Sequence, residues 1–140
     1  MIVLDTNVLS ELMRAQPDSA MLAWMDRQEP NELMITAVTL AELLYGIARL
    51  PEGRRKAGLH DAAHSMLEEE LTNRVLPFDE AAAIQYSMLV VAREIAGRPI
   101  GMADAQIAAI CRHQGAALAT RNGKDFETTG ITVINPWTAV

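Results

Sequence analysis

The feature that most narrows what this chain can fold into lies at its start, in Ile2-Val3-Leu4-Asp5-Thr6-Asn7. Ile2, Val3 and Leu4 are apolar with no polar alternation, so they predict a strand buried on both faces, as at the centre of a parallel sheet. Asp5 stands where that strand ends. In open α/β folds the carboxyl ends of the strands border the crevice in which ligands bind, so the central strand delivers a carboxylate to a place suited to chemistry. Thr6 and Asn7 follow as small polar residues able to cap the next helix or to orient Asp5.

Downstream, the period of the apolar residues changes repeatedly between that of a strand and that of a helix. Thr6 to Met13 predicts a short helix, and Pro17-Asp18-Ser19 starts another that runs to about Arg27. Leu33-Met34-Ile35 is a second strand; after it Leu40, Leu43, Leu44 and Ile47 fall on one side of a helix. Arg54-Arg55-Lys56 opens a polar-faced helix that turns Leu59, Ala63, Met66 and Leu67 inward, with Glu68-Glu69-Glu70 as its solvated end. Val75-Leu76 is a weak third strand. Asp79 then caps a long helix whose apolar stripe is Ile84, Met88, Val91 and Ile95. Gly101 to Gln114 predicts a further helix, Ala116 to Ala119 a fourth strand, and Ile131 to Ile134 a last apolar run. Such alternation predicts an α/β fold with a mostly parallel sheet, and 140 residues suit one domain spanning 1–140.

Charge and cysteine usage exclude several function classes. A net charge of −6 argues against nucleic-acid binding by bulk electrostatics, so a phosphate-rich substrate needs a local basic patch or metal ions. Cys111 is the only cysteine, which rules out an internal disulfide and suits a reducing cytoplasm. No leader-like start and no apolar run of about 18 residues is present, so neither export nor membrane insertion is expected. Eight methionines within a chain half apolar leave room for an exposed apolar surface and self-association.

The acids carry the chemistry, and each has a plain structural reading. Asp5 can be the N-cap of the next helix, Glu42 the end of a Thr39-x-x-Glu42 capping box, and Asp104 a first-turn acid stabilised by the helix dipole. Asn122-Gly123 can be a turn only. Glu42 lies between Ala41 and Leu43, where burial would demand a cationic partner. Yet Asp5, Asn122 and Asp125 follow apolar strands, while Glu42 and Asp104 occupy early turns of apolar helices, places that face one edge of a parallel sheet. Clustered carboxylates repel one another unless a cation neutralises them, and hard oxygen ligands select Mg²⁺ or Mn²⁺. Carboxylate-held divalent ions serve in-line attack of water on a phosphodiester. His60 and His64 form an i, i+4 pair without an evident third ligand, and with His113 read as surface residues.

The same stretches resemble the PIN-domain proteins of the VapC/FitB-like type, the toxin half of a bacterial toxin–antitoxin pair. The resemblance rests on Ile2–Asn7, Thr36–Leu43, Ala103–Ala109, Leu118–Asn122 with Asp125-Phe126, and Asn135-Pro136-Trp137, and spans the whole chain. It implies a three-layer sandwich with a mostly parallel central sheet of four or five strands. It also implies a metal-dependent ribonuclease that leaves a 5′-phosphate and a 3′-hydroxyl. Matched block by block, Asp5, Glu42 and Asp104 become metal-binding acids with Thr6 orienting the site. Many relatives carry Asp where this chain has Asn122, so Asn122 or Asp125 supplies the fourth catalytic position. The resemblance further implies a homodimer, and a small antitoxin that wraps an apolar groove and can push an Arg into the acidic site. DNA contact would then belong to the antitoxin.

The mechanism expected has Asp5 and Asp104 holding Mg²⁺ or Mn²⁺, while Glu42 completes the shell or positions the attacking water. Arg121 and Lys124 are placed to hold a substrate phosphate; Arg54, Arg55 and Lys56, the one dense basic cluster with Arg49, form either a solvated helix start or an RNA contact. Trp24 and Trp137 are expected to pack in a core or an interface. Two rivals remain: a PIN-like binding module without catalysis, and an α/β protein phosphorylated on Asp5. Against the latter, Asn7 stands where a dehalogenase-type start needs a second Asp, and no acid precedes Asp5 as a receiver domain requires.

Overall fold

The computed structural model describes residues 1–139 and contains a five-stranded, wholly parallel sheet. Its strands are β1 (Ile2–Leu4), β2 (Leu33–Thr36), β3 (Val75–Leu76), β4 (Ala117–Ala119) and β5 (Val133–Ile134), in the order β3-β2-β1-β4-β5. The first strand is therefore the central one, as its unbroken apolar run requires. The helices are α1 (Thr6–Leu12), α2 (Ser19–Asp26), α3 (Ala37–Ala48), α4 (Arg54–Glu69), α5 (Glu80–Ile95) and α6 (Met102–Gln114).

Alternation along the strands explains the layering. Val3, Met34, Leu76, Leu118 and Val133 point to one face, where α5 and α6 supply Leu89, Ile107, Ala108 and Cys111. Ile2, Leu4, Ile35, Ala119 and Ile134 point to the other, onto Val8, Met21, Leu43 and Ala63 of the first four helices. A sheet this short is stable only with both faces covered, and the period of two divides its apolar residues between two cores. Trp24 is buried in the second core and Cys111 in the first, where burial pushes its thiol up to about 12.

Two helical expectations need correction. Ile84, Met88, Val91 and Ile95 do not face the core: they are 57, 47, 53 and 82% exposed, and α5 packs instead through Ala82, Leu89 and Arg93. That helix carries two apolar stripes, and the one holding Ala82, Tyr86, Leu89 and Val90 joins the core that α6 lines. Helix α3 does not start from a capping box either. Thr36 is its N-cap, accepting a 3.0 Å hydrogen bond from the Thr39 amide, which places Glu42 in the second turn.

Strand order sets where a ligand can sit. From β1 the chain passes to β2 and β3 on one side and returns to β4 and β5 on the other. The order thus reverses between β1 and β4, the place at which the strand ends part to leave a crevice. Leu4 pairs with Ala119, so Asp5 and Thr120 are the next residues on either side of that crevice.

Candidate active site

Asp5 is held at the crevice by three donors. It is 5% exposed; its Oδ1 accepts from the Thr6 amide at 2.8 Å, and its Oδ2 accepts from Thr120 Oγ1 at 2.8 Å and from Asn7 Nδ2 at 3.4 Å. Thr120, fully buried, also accepts from Asn7 Nδ2 and the Asn122 amide, both at 3.1 Å. Asn7 in turn accepts from the Arg121 amide through Oδ1 at 3.1 Å. The Thr6-Asn7 pair that follows β1 is thereby tied to the Thr120-Arg121-Asn122 segment that follows β4, and the mouth of the crevice is laced shut around one carboxylate. Asp5 is also the N-cap of α1, so the carboxylate that caps the helix is the one that borders the cleft.

Three further carboxylates lie within electrostatic reach. Burial pushes Asp5 above the usual carboxylate range, the Thr120 and Thr6 hydrogen bonds oppose this, and the charges of Glu42 and Asp125 push the same way as burial. Asp104, half-buried in the first turn of α6, is pushed up to about 6 by burial and then by Asp5, Asp125 and Glu42, against a weaker pull from Arg93. Thr6 Oγ1 donates to Glu42 Oε1 at 2.8 Å, which fixes the exposed Glu42 on the same side. The sequence suggests a buried Glu42, yet Leu43 and Ile47 take the core face of α3 while Glu42, one residue round the helix, turns to solvent.

Asp5, Glu42 and Asp104 line one cleft of about 1350 Å³. Asn122 lines it too, whereas Asp125 sits on the exposed 3-10 turn Gly123–Phe126 and meets the other acids by its charge. Among the basic candidates, Arg55 and Arg121 reach the cleft, and so does Arg14, which the sequence did not single out. Arg54, Lys56 and Lys124 are not part of its lining: Lys56 is paired with Glu52 at 2.5 Å, and α4 presents only one side of its basic first turn inward. The Arg121 guanidinium lies 4.9 Å from the Trp137 ring centre, so Trp137 forms cleft wall as well as core packing.

The acids are not a ready-made cage. Among the described residues no group of three or more His, Cys, Asp or Glu side chains is already gathered so that it could hold an ion. The donor set nevertheless suits a hard divalent cation, being all carboxylate oxygen, and mutual repulsion raises Asp104 in the way that a cation would relieve. His60 and His64 lie side by side on the exposed face of α4, their ring centres 4.5 Å apart and tilted by 51°, and neither lines the cleft.

Two site contacts escaped the sequence reading. Thr120 looks like one more residue of a strand end, and only the β1–β4 register makes it the partner of Asp5. Arg93 is buried on α5 and donates to three backbone carbonyls; a cation one turn after Leu89 on a helix face was the available signal.

Comparison with known proteins agrees with this geometry along the length of the chain. The PIN domain family model matches residues 2–131. The chain is 44% identical to "VapC ribonuclease Y4jK" of Sinorhizobium fredii, covering 98% of each, and 36% identical to "Toxin FitB" of Neisseria gonorrhoeae, covering 98% of this chain and 99% of that one. A solved structure described as "FitAB bound to IR36 DNA fragment" superposes with a TM-score of 0.93 at 35% identity, covering 100% of this chain and 98% of its counterpart. With its parallel sheet, its crevice carboxylate on the central strand and a family match over nearly its whole length, this chain belongs to the PIN domain family.

Proposed function

We propose that this chain is a divalent-metal-dependent endoribonuclease and the toxin member of a toxin–antitoxin pair. The observation that carries the reading is the convergence of Asp5 and Asp104 on one arginine-walled cleft, with Asp104 raised to about 6 by burial and then by its acidic neighbours. Asp5 and Asp104 would hold the cation, with Glu42 and either Asn122 or Asp125 beside them. A bound Mg²⁺ or Mn²⁺ supplies charge neutralisation at the phosphate and lowers the pKa of water.

The remaining steps belong to the chain. Thr120 and the Thr6 amide aim Asp5, and their hydrogen bonds to its charged form oppose the effect of its burial. Glu42, oriented by Thr6, accepts a proton from the attacking water. The water oxygen bonds to phosphorus, the bond from phosphorus to the 3′-oxygen breaks, and a proton completes the 3′-hydroxyl, leaving a 5′-phosphate on the other fragment. Arg121 and Arg55 hold the flanking phosphates and align the chain for in-line attack.

Two protein partners belong to the same reading. The exposed stripe of α5 is suited to a second copy of this chain, because a twofold axis pairs a helix face with itself. A cognate antitoxin is supported by neighbours solved as VapBC and FitAB complexes, one of them described as a member of a family of toxin–antitoxin systems. DNA in such complexes, among them FitAB and a Salmonella typhimurium VapBC, fits contact through the antitoxin, given the charge of −6 on this chain.

The test is cleavage of pooled cellular RNA by the isolated protein with Mg²⁺, with Mn²⁺ and with chelator, beside an Asp5→Asn/Asp104→Asn variant. Discrete, metal-dependent products absent from the variant are expected. Folded protein that neither cleaves RNA nor binds Mn²⁺ by calorimetry refutes the reading.

A further inference from the structure

The 3-10 turn that carries Asp125 has little to hold it by itself. It is a single turn of four residues between β4 and β5, followed by Thr128 at φ 60° and Gly130 at φ 81°, both in the left-handed region. Short 3-10 turns have poor hydrogen-bond geometry and persist where other contacts fix them. Phe126, 2% exposed, anchors its far end in the core. The buried Thr129 hydroxyl donates to the Phe126 carbonyl at 2.5 Å, and helix α5 and the loop beyond it hold the turn from the other side.

Arg93 is 4% exposed, among the deepest charged groups in the chain. Its Nη1 donates to the Asp125 carbonyl at 2.9 Å and to the Glu127 carbonyl at 2.8 Å, and its Nε donates to the Arg98 carbonyl at 2.6 Å. Among the described residues it forms no ion pair with any carboxylate. Burying an unpaired cation is costly, and an apolar residue at this place on α5 would continue the packing of Leu89. What the guanidinium gives in exchange is a rigid fork whose Nη1 bridges two carbonyls at the C-terminal end of the turn while Nε ties it to the Arg98 loop. Arg98 grips the same turn from outside, through Glu127 Oε2 at 2.6 Å and the Lys124 carbonyl at 3.4 Å.

We propose that Arg93 is a positioning residue of the nuclease site, fixing the turn that carries Asp125 and thereby the place of that carboxylate beside Asp5 and Asp104. The inference rests on the ribonuclease reading and adds to it a residue outside the cleft. Arg93 also brings a positive charge toward the acids, where it acts on Asp104 in the opposite sense to the surrounding carboxylates.

A double-mutant cycle separates positioning from plain stabilisation. Arg93→Lys keeps the charge and loses the fork. With Asp125 present it is expected to lower the saturating-Mn²⁺ cleavage rate about 10- to 100-fold, the range for residues that orient a metal ligand. In an Asp125→Asn background the same change is expected to cost no more than about threefold, because there is no carboxylate left to position. In metal-free protein, amide exchange across residues 123–127 is expected to accelerate in Arg93→Lys while that of β1 and β4 does not. Equal losses in both backgrounds, or no loss in either, overturn the proposal. If Arg93→Lys does not fold, Arg98→Ala decides: it is exposed, and it is expected to show the same dependence on Asp125 at smaller amplitude, an additive result overturning the role. A folded wild-type chain that neither cleaves RNA nor binds Mn²⁺ overturns the ribonuclease reading and this proposal with it; a cleaving wild type with an additive pair overturns only Arg93.

Discussion

Asp104, raised to about 6 by burial and by its acidic neighbours, is expected to make stability of the metal-free protein depend on pH. Its folded pKa of about 6 lies above the unfolded value, so the folded state binds the proton more tightly. The stability this contributes is fully present below about pH 4 and is lost as pH rises through 6, where the ionised acid faces Asp5, Asp125 and Glu42. Asp104→Asn, which imitates the protonated form, is therefore expected to stabilise chelator-treated protein at pH 7.5 by about 1–3 kcal/mol and to change it little at pH 4. Urea unfolding at the two pH values reads this directly, and a variant less stable than wild type at both would refute it. Saturating Mn²⁺ is expected to narrow the difference by stabilising wild type more. Thr120 is the complementary case. Thr120→Val preserves shape but leaves Asp5 Oδ2 without its 2.8 Å donor and the Asn122 amide without an acceptor, so a loss of about 1–3 kcal/mol is expected by thermal unfolding. No loss would mean that water replaces the hydroxyl and that the lacing of the crevice is not structural.

At the scale of elements, the strands and helices were legible because each strand is a short apolar run and each helix changes the period. β1, α1 and α6 lie within a residue or two of their expected ends, and Asp79 caps α5 as its position before the apolar run implies. What the sequence could not show was orientation. Helix α5 offers two stripes, and only the fit of Ala82 and Leu89 against α6 decides between them. Glu42 was misplaced in depth for the same reason, and Thr120 and Arg93 act through contacts to residues far away in sequence. The exposed stripe then becomes informative, since four large apolar residues in line on a charged molecule need a cover. Met88→Glu/Val91→Glu is expected to give a monomer in sedimentation velocity where wild type is dimeric, with the far-UV spectrum unchanged. A wild type that stays monomeric at all concentrations, or a variant that still pairs, rejects α5 as the dimer face.

For the whole molecule, the difficulty is that an acidic protein must attract an acidic polymer. With a net charge of −6, long-range steering opposes RNA, and under the proposed reading binding would rest on Arg14, Arg55 and Arg121, the arginines that line the cleft. Arg14 is in part neutralised by Glu11 at 3.3 Å, and Arg121 is held against Trp137, so the number of phosphates contacted is small. For single strands each neutralised phosphate contributes about −0.7 to the slope of log affinity against log salt, so three contacts set a ceiling near −2. A protein binding by a broad basic face would show a much steeper dependence. Arg55→Gln is expected to reduce the slope by about 0.7 and to weaken all RNA sequences alike, as loss of a phosphate contact does. Arg54→Gln removes the same charge from the adjacent residue, outside the cleft, and is expected to leave the slope unchanged. Fluorescence titrations of an uncleaved RNA on the Asp5→Asn/Asp104→Asn variant, over a range of salt, make the comparison without turnover. Equal effects of the two arginines would mean that the basic start of α4 acts as a diffuse field, and the cleft would lose its standing as the track along which the substrate lies.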